Sequence, residues 1–155
     1  PLVPLTLQYL FTMLAGLLLG ARLGAVSVLC YIVAGLAGLP VFAEGGGIGY
    51  VLKPSFGYII GFLIAAWVTG RIANKTDAPS LKRLLAACFA GLLIVYGIGV
   101  LYLWLVNRLY LDKSLGLKTL FIYCFAVYVP GDALQCVLAS VLVKRLLPIL
   151  KRHRA

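Results

Sequence analysis

The chain has 155 residues, 63% hydrophobic and 12% charged, with a mean hydropathy of +1.07 and a net charge of +10. Soluble domains average about 45–50% apolar and about 25% charged residues, and a water-soluble fold of this size cannot hide so much apolar surface. The basic excess lies at the ends of apolar runs, without the aromatic interleaving that grips nucleic acid strands, so it points to a membrane surface and away from nucleic acid.

The apolar runs are unbroken and rich in Leu, Ala and Gly. This fits an all-α integral membrane protein and not a barrel of short alternating strands. Five segments follow in chain order: Leu5 to Gly20, Gly24 to Leu39, Phe56 to Ile72, Leu84 to Val106, and Thr119 to Val143. Most are near the roughly twenty residues that a bilayer requires. The first is short, and the last holds a break at Tyr128-Val129-Pro130-Gly131-Asp132. Gly16, Gly20 and Gly24 recur at spacing four, as do Gly57 and Gly61, and Ala34 and Gly38. Small residues on one face permit close helix approach, either as seams within the chain or as a docking face. Cys30, Cys88, Cys124 and Cys136 each lie inside an apolar run and read as small buried hydrophobes. Trp67 and Trp104 read as belt or core residues, and Asn74, Asn107 and His153 as facing water or headgroups.

Lys and Arg divide unevenly between the connections. Alternating sides puts ten on one side and four on the other, and the richer side is cytoplasmic by the positive-inside rule. The C-terminus is then expected in the cytoplasm, and the stretch from Leu39 to Phe56 outside. Pro1 also falls outside, with no signal peptide before it. A preceding helix is therefore expected, giving six in the whole protein and about five in this chain. Residues 1–155 read as one transmembrane domain. No GxxxxGK[ST] motif occurs, so any ATPase for active transport must be another subunit.

Few polar residues interrupt the apolar text. Asp132 is the only acid of the last segment, and a carboxylate at bilayer depth costs roughly 2.5–3.5 kcal/mol on insertion scales. It needs a donor, a cation or water. Pro130 breaks the helix and Gly131 allows close approach of a ligand. Gln135 shares the face of Asp132 one turn on. One reading makes this a binding site at a broken helix; the other makes Asp132 a cap on a new helix. Tyr96, beside Gly97 and Gly99, is either a pocket wall or core packing. Tyr50, Phe56 and Tyr58 flank Pro54 and Ser55 as interface anchors or site residues. The acids Glu44, Asp77, Asp112 and Asp132 are far apart, and HExxH and GxSxG are absent. Metal, hydrolase and paired-carboxylate chemistry thus have little support. The residues alone describe a small-molecule-binding or transport protein of the membrane. An integral membrane enzyme using Asp132 and a purely structural subunit are the competing classes.

The run QYLFTMLAGLLLGARLGAVSVLCYIVAGLAGLPVFAEGGG from Gln8 to Gly47 resembles the bacterial BioY family, as do KPSFGYIIGFLIAAW from Lys53 and YVPGDALQ from Tyr128. The resemblance covers nearly the whole chain in the expected order. It implies a six-helix substrate-binding component of an energy-coupling-factor transporter in the bacterial cytoplasmic membrane. That component binds biotin from the outside, without a cofactor, beside a transmembrane coupling subunit and two cytoplasmic ATPases. In the family, an aspartate and a lysine three residues on contact the bicyclic head of biotin. Asp132 matches this pattern; Gln135 stands where the lysine is usual. On this basis Asp132 and Gln135 are expected at the ureido ring, with Tyr96 and Tyr58 as walls or hydroxyl partners. Ser55 and Lys53 are expected near the carboxylate, and Tyr50 and Phe56 beside them. Pro40, Phe42, Gly45, Gly46, Gly47 and Pro54 are expected to form a flexible gating loop.

Overall fold

The structure is a computed structural model that describes residues 6–110, 116, 118–119 and 122–154. Among these, four helices are long and apolar enough to cross a membrane. They are α1 (Gln8–Leu36), α2 (Phe56–Ala73), α3 (Leu81–Leu109) and α4 (Val129–Arg154). A 3₁₀ turn at Ile48–Leu52 precedes α2, and a π-helical turn at Ile122–Ala126 precedes α4.

α1 is two rods. Gly20 has φ +86° and ψ 174°, a left-handed backbone that only glycine adopts without strain. The chain reverses there. Gln8 Nε2 donates to the Tyr31 hydroxyl at 2.5 Å, although a straight helix would hold residues 23 apart at about 35 Å. A Cβ on Gly24 would stand 2.7 Å from Gly16 Cα, so the small residues at 16 and 24 meet face to face across the hinge. The two segments expected on either side of Arg22 are thus present, with the turn two residues earlier.

The small-residue ladder of α2 is also an internal seam. A Cβ on Gly61 would lie 2.9 Å from Val95 Cα of α3, and Gly57 faces the Tyr102 ring. Close packing of this kind drives helix association where lipid competes equally for apolar surface. α2 lies between α1 and α3, and α4 packs on α1 and α3. The core runs through Met13, Leu17, Ala66, Leu84, Leu103 and Val143, all essentially inaccessible. Leu19, Leu23, Val26, Leu29 and Val33 of α1 are exposed, as suits a surface facing lipid.

The last segment differs from its expected form. The break falls at the turn 127–128, and Pro130 sits in the first turn of α4, where its missing N–H breaks no helical bond. α4 runs past Val143 through Pro148 to Arg154. Lys144 Nζ donates to Pro79 O at 2.9 Å, and Lys151 pairs with Asp77. The basic tail therefore rests on the connection between α2 and α3. Ser80 caps α3, its hydroxyl accepting from Arg83 N at 3.2 Å.

Other expectations need correction. Asn107 is buried, at 3% exposure, and its Nδ2 has no hydrogen-bond partner among the described residues. Asn74 is exposed at the end of α2, as expected, and donates to Gly70 O at 2.9 Å. Cys88 and Cys136 are buried but Cys30 is exposed, because the second rod of α1 packs through Val28 and Ile32 and turns residue 30 outward. The side chains of Cys124 and His153 lie outside the described residues. Trp67 and Trp104 carry Arg71 and Arg108 over their rings at 5.3 and 5.2 Å, the pairing of aromatic belt and flanking base seen at membrane surfaces.

Candidate ligand-binding site

A cavity opens at the end of the bundle where α1 and α2 begin. Its space is about 620 Å³ counting the open solvent at its mouth, of which only about 60 Å³ is free interior. Asp132 and Tyr96 lie on one side; Tyr58, Ile59 and Phe62 of α2 line another. Tyr50, Ser55 and Ala43 stand toward the loop, and Thr6, Gln8 and Tyr9 come from the start of α1. Val95 and Tyr128 complete the wall. The cavity descends about two turns of α2, from Ser55 to Phe62.

The local sequence explains these placements. Residues 55, 58, 59 and 62 share one face of α2 at helical spacing. Gly99 leaves room for Tyr58, since a Cβ there would lie 2.6 Å from the Tyr58 ring. Tyr58 meets Tyr96 edge-on at 6.2 Å, and Tyr96 meets Phe125 at 5.3 Å. The walls are therefore mutually braced aromatics.

Asp132 is the polar centre. Its Oδ2 accepts from the Tyr96 hydroxyl at 2.5 Å, and its Oδ1 from Gln135 Nε2 at 3.1 Å. The ion pairs among the described residues, Lys53–Glu44 and Lys151–Asp77, do not include it. The two hydrogen bonds offset part of the cost of burying the carboxyl group. A carboxylate offers about four lone-pair sites, so two remain for donors on a ligand. The site thus combines a hydrogen-bond acceptor at one end with aromatic walls.

Five of the eight expected ligand residues line the cavity: Asp132, Tyr96, Tyr58, Ser55 and Tyr50. The other three do not. Gln135 lies behind Asp132, bound to backbone atoms of α1 and its approach. Lys53 sits outside, paired with Glu44 at 3.2 Å and over the Tyr50 ring at 4.9 Å. Phe56 is buried between Tyr50 and Tyr102. Thr6, Gln8 and Tyr9 were missed, although a polar start to an otherwise apolar run was the available signal.

The loop expected to act as a gate contributes Ala43 to the cavity wall. Pro40 marks the bend after α1. Phe42 N donates to Gly45 O at 3.0 Å, and Gly45 N returns a bond to Phe42 O at 3.2 Å. Gly47 N reaches back to Gly35 O at 2.7 Å. Gly46 packs beside Leu39 O, and Pro54 lies in the turn into α2. The Phe42 ring is buried against Gly35, Tyr31 and Tyr50. Tyr31 also donates to Val41 O at 3.1 Å. The loop is thus tied to α1 by backbone bonds and one aromatic anchor.

Fold and site together define a helical membrane protein with a small-molecule cavity near one membrane surface. The chain belongs to the BioY family, whose model matches residues 1–152. It is similar to a BioY protein of Lysinibacillus sphaericus, at 41% identity over 155 residues, covering all of this chain and 79% of the relative. The biotin transporter BioY of Thermotoga maritima is 36% identical over 146 residues, 93% of this chain and 80% of the relative. Among solved structures, the chain resembles the 2.1 Å crystal structure of the S-component for biotin from an ECF-type ABC transporter. That match has a TM-score of 0.66 and 34% identity, over 92% of this chain and 75% of that one.

Proposed function

We propose that the protein captures biotin and hands it on for uptake, as the substrate-binding component of an energy-coupling-factor transporter. The observation that carries this is Asp132, whose carboxylate acceptors are held by Tyr96 and Gln135 in the lining of an aromatic cavity. The ureido N–H groups of biotin match those acceptors. The thioether ring and valeryl chain match Tyr9, Tyr58 and Phe62, and the carboxylate lies toward Ser55 and the mouth. Lys53 is engaged by Glu44 and takes no direct part. No bond of the ligand changes; the reading is transport and not enzymatic.

The cavity opens outward. Ser55 begins α2 at the cavity end, and Asn74 closes it beside Arg71 and Lys75. These ends are about 27 Å apart by helical rise, close to the thickness of the hydrocarbon core. The basic end, with Arg22, Arg83, Lys144 and Lys151, is cytoplasmic by the positive-inside rule, and the C-terminus lies there. The whole transmembrane domain has six helices on this reading. A coupling subunit and two ATPases supply the movement that releases biotin inward.

Growth of a biotin-requiring bacterium at limiting biotin tests this. Expression of the full-length protein with a coupling module restores growth, and Asp132→Ala abolishes the effect at wild-type protein levels. Failure of the well-expressed wild-type protein to restore growth or accumulate labelled biotin refutes the transport reading.

A further inference from the structure

Gln135 stands one turn beyond Asp132 and is 8% exposed. Its amide has one carbonyl oxygen and two N–H donors, and all are committed. Oε1 accepts from Leu10 N at 3.0 Å. Nε2 donates to Thr6 O at 3.3 Å and to Asp132 Oδ1 at 3.1 Å.

The bond to Leu10 has a specific meaning. The first turn of a helix leaves its N–H groups without intrahelical partners, and Leu7 at the start of α1 makes no side-chain cap. The cap for Leu10 comes instead from α4, 125 positions away in sequence. The segment it holds carries Thr6, Gln8 and Tyr9 into the cavity. The other half of the same amide fixes which oxygen of Asp132 is engaged, and so which lone pairs face the ligand.

We propose that Gln135 is a positioning residue with two separable halves. Its carbonyl caps α1 and holds the α1 wall of the cavity in place. Its amino group orients Asp132 toward the ligand without touching the ligand itself. A lysine at this position donates to Asp132 but cannot accept from Leu10 N–H, so this chain ties the site to α1 in a way that a lysine-bearing site cannot. The ligand half rests on the biotin reading above; the capping half does not.

The test uses the full-length protein in detergent, with Gln135→Met, which removes both halves, and Gln135→Lys, which removes only the acceptor. Amide hydrogen exchange of ligand-free protein reads the cap. Exchange in residues 8–12 speeds up at least tenfold in both variants, while the interior of α3 is unchanged. Biotin titration, alone and with Asp132→Asn, reads the aiming role. Gln135→Met lowers biotin affinity about tenfold when Asp132 is present, but less than threefold in the Asp132→Asn background. Gln135→Lys, which keeps a donor to Asp132, binds biotin more tightly than Gln135→Met; equal or weaker binding would also overturn the aiming half. A purely structural role would give the same loss in both backgrounds and would overturn the aiming half. Unchanged exchange in residues 8–12 of Gln135→Met would overturn the cap. If the wild-type protein binds no biotin, the functional reading falls, and the exchange arm still decides the cap.

Discussion

Phe42 is the side chain that anchors the loop to α1 and Tyr50, and its removal has a calculable consequence. The ring is 4% exposed. It lies 4.6 Å from the Tyr50 ring and 5.4 Å from the Tyr31 ring, centroid to centroid, and occupies the space that a side chain at position 35 would fill. Truncating a buried Phe to Ala costs about 3–5 kcal/mol. Phe42→Ala leaves the loop its reciprocal bonds between residues 42 and 45 and the bond from Gly47 to Gly35, so the lower figure applies. Phe42 belongs to the same buried cluster as the bundle core, so part of the loss falls on the bundle and about 3 kcal/mol is an upper bound on the loop's share. At about 1.4 kcal/mol per tenfold, about 3 kcal/mol lowers the closed population relative to the open one by at most about 100-fold. If the loop must open for ligand to leave, biotin release accelerates by 10- to 100-fold. The assay is dissociation of labelled biotin from detergent-purified protein into excess unlabelled biotin. Melting of the ligand-free bundle is followed in parallel. A release rate within twofold of wild type, in a variant that remains folded, would refute the loop as the gate.

The remaining predictions concern the site and the scaffold. Tyr96→Phe removes the 2.5 Å bond to Asp132; hydrogen bonds to charged groups contribute about 1.5–3 kcal/mol, so biotin affinity falls at least tenfold by calorimetry while the aromatic wall survives. Lys53→Ala breaks an exposed ion pair, a class worth about 0–1 kcal/mol; biotin affinity changes less than fivefold, and a larger loss would show that Lys53 meets the carboxylate directly. Gly61→Val forces a side chain onto the α3 backbone at Val95; overpacking of this kind costs about 1–3 kcal/mol, read as a melting temperature lowered by several degrees, and an unchanged value would show that the α2–α3 seam yields.

Much of this architecture is legible in the residues. Apolar runs bounded by glycine and basic residues define the rods, because a bilayer sets their length and leaves little choice of structure. The glycines at 16, 24 and 61 mark seams because close approach of backbones is the main source of affinity between helices in lipid. Asp132 and Tyr96 stand out for the same reason: a polar group deep in an apolar run must have a partner, and each proves to be the other's. The Gln135 contacts were not legible, since spacing on α4 says nothing of a backbone N–H on α1. Phe56 and Tyr50 look alike in sequence, yet one fills the core and the other faces the cavity. Lys53 is expected at the carboxylate but pairs with Glu44, nine residues earlier across a loop whose fold local rules do not fix. Asn107 shows the limit of placing residues by depth alone, because a position near a helix end still falls on the buried face.

The most direct test of the account is calorimetric titration of biotin into the detergent-purified full-length protein, with Asp132→Ala beside it. The account predicts saturable binding of one biotin per chain by the wild type and a loss of at least tenfold in the variant, with both proteins folded. Wild-type protein that is folded and takes up no biotin would contradict the assignment of the ligand, and equal binding by both would contradict the role of Asp132.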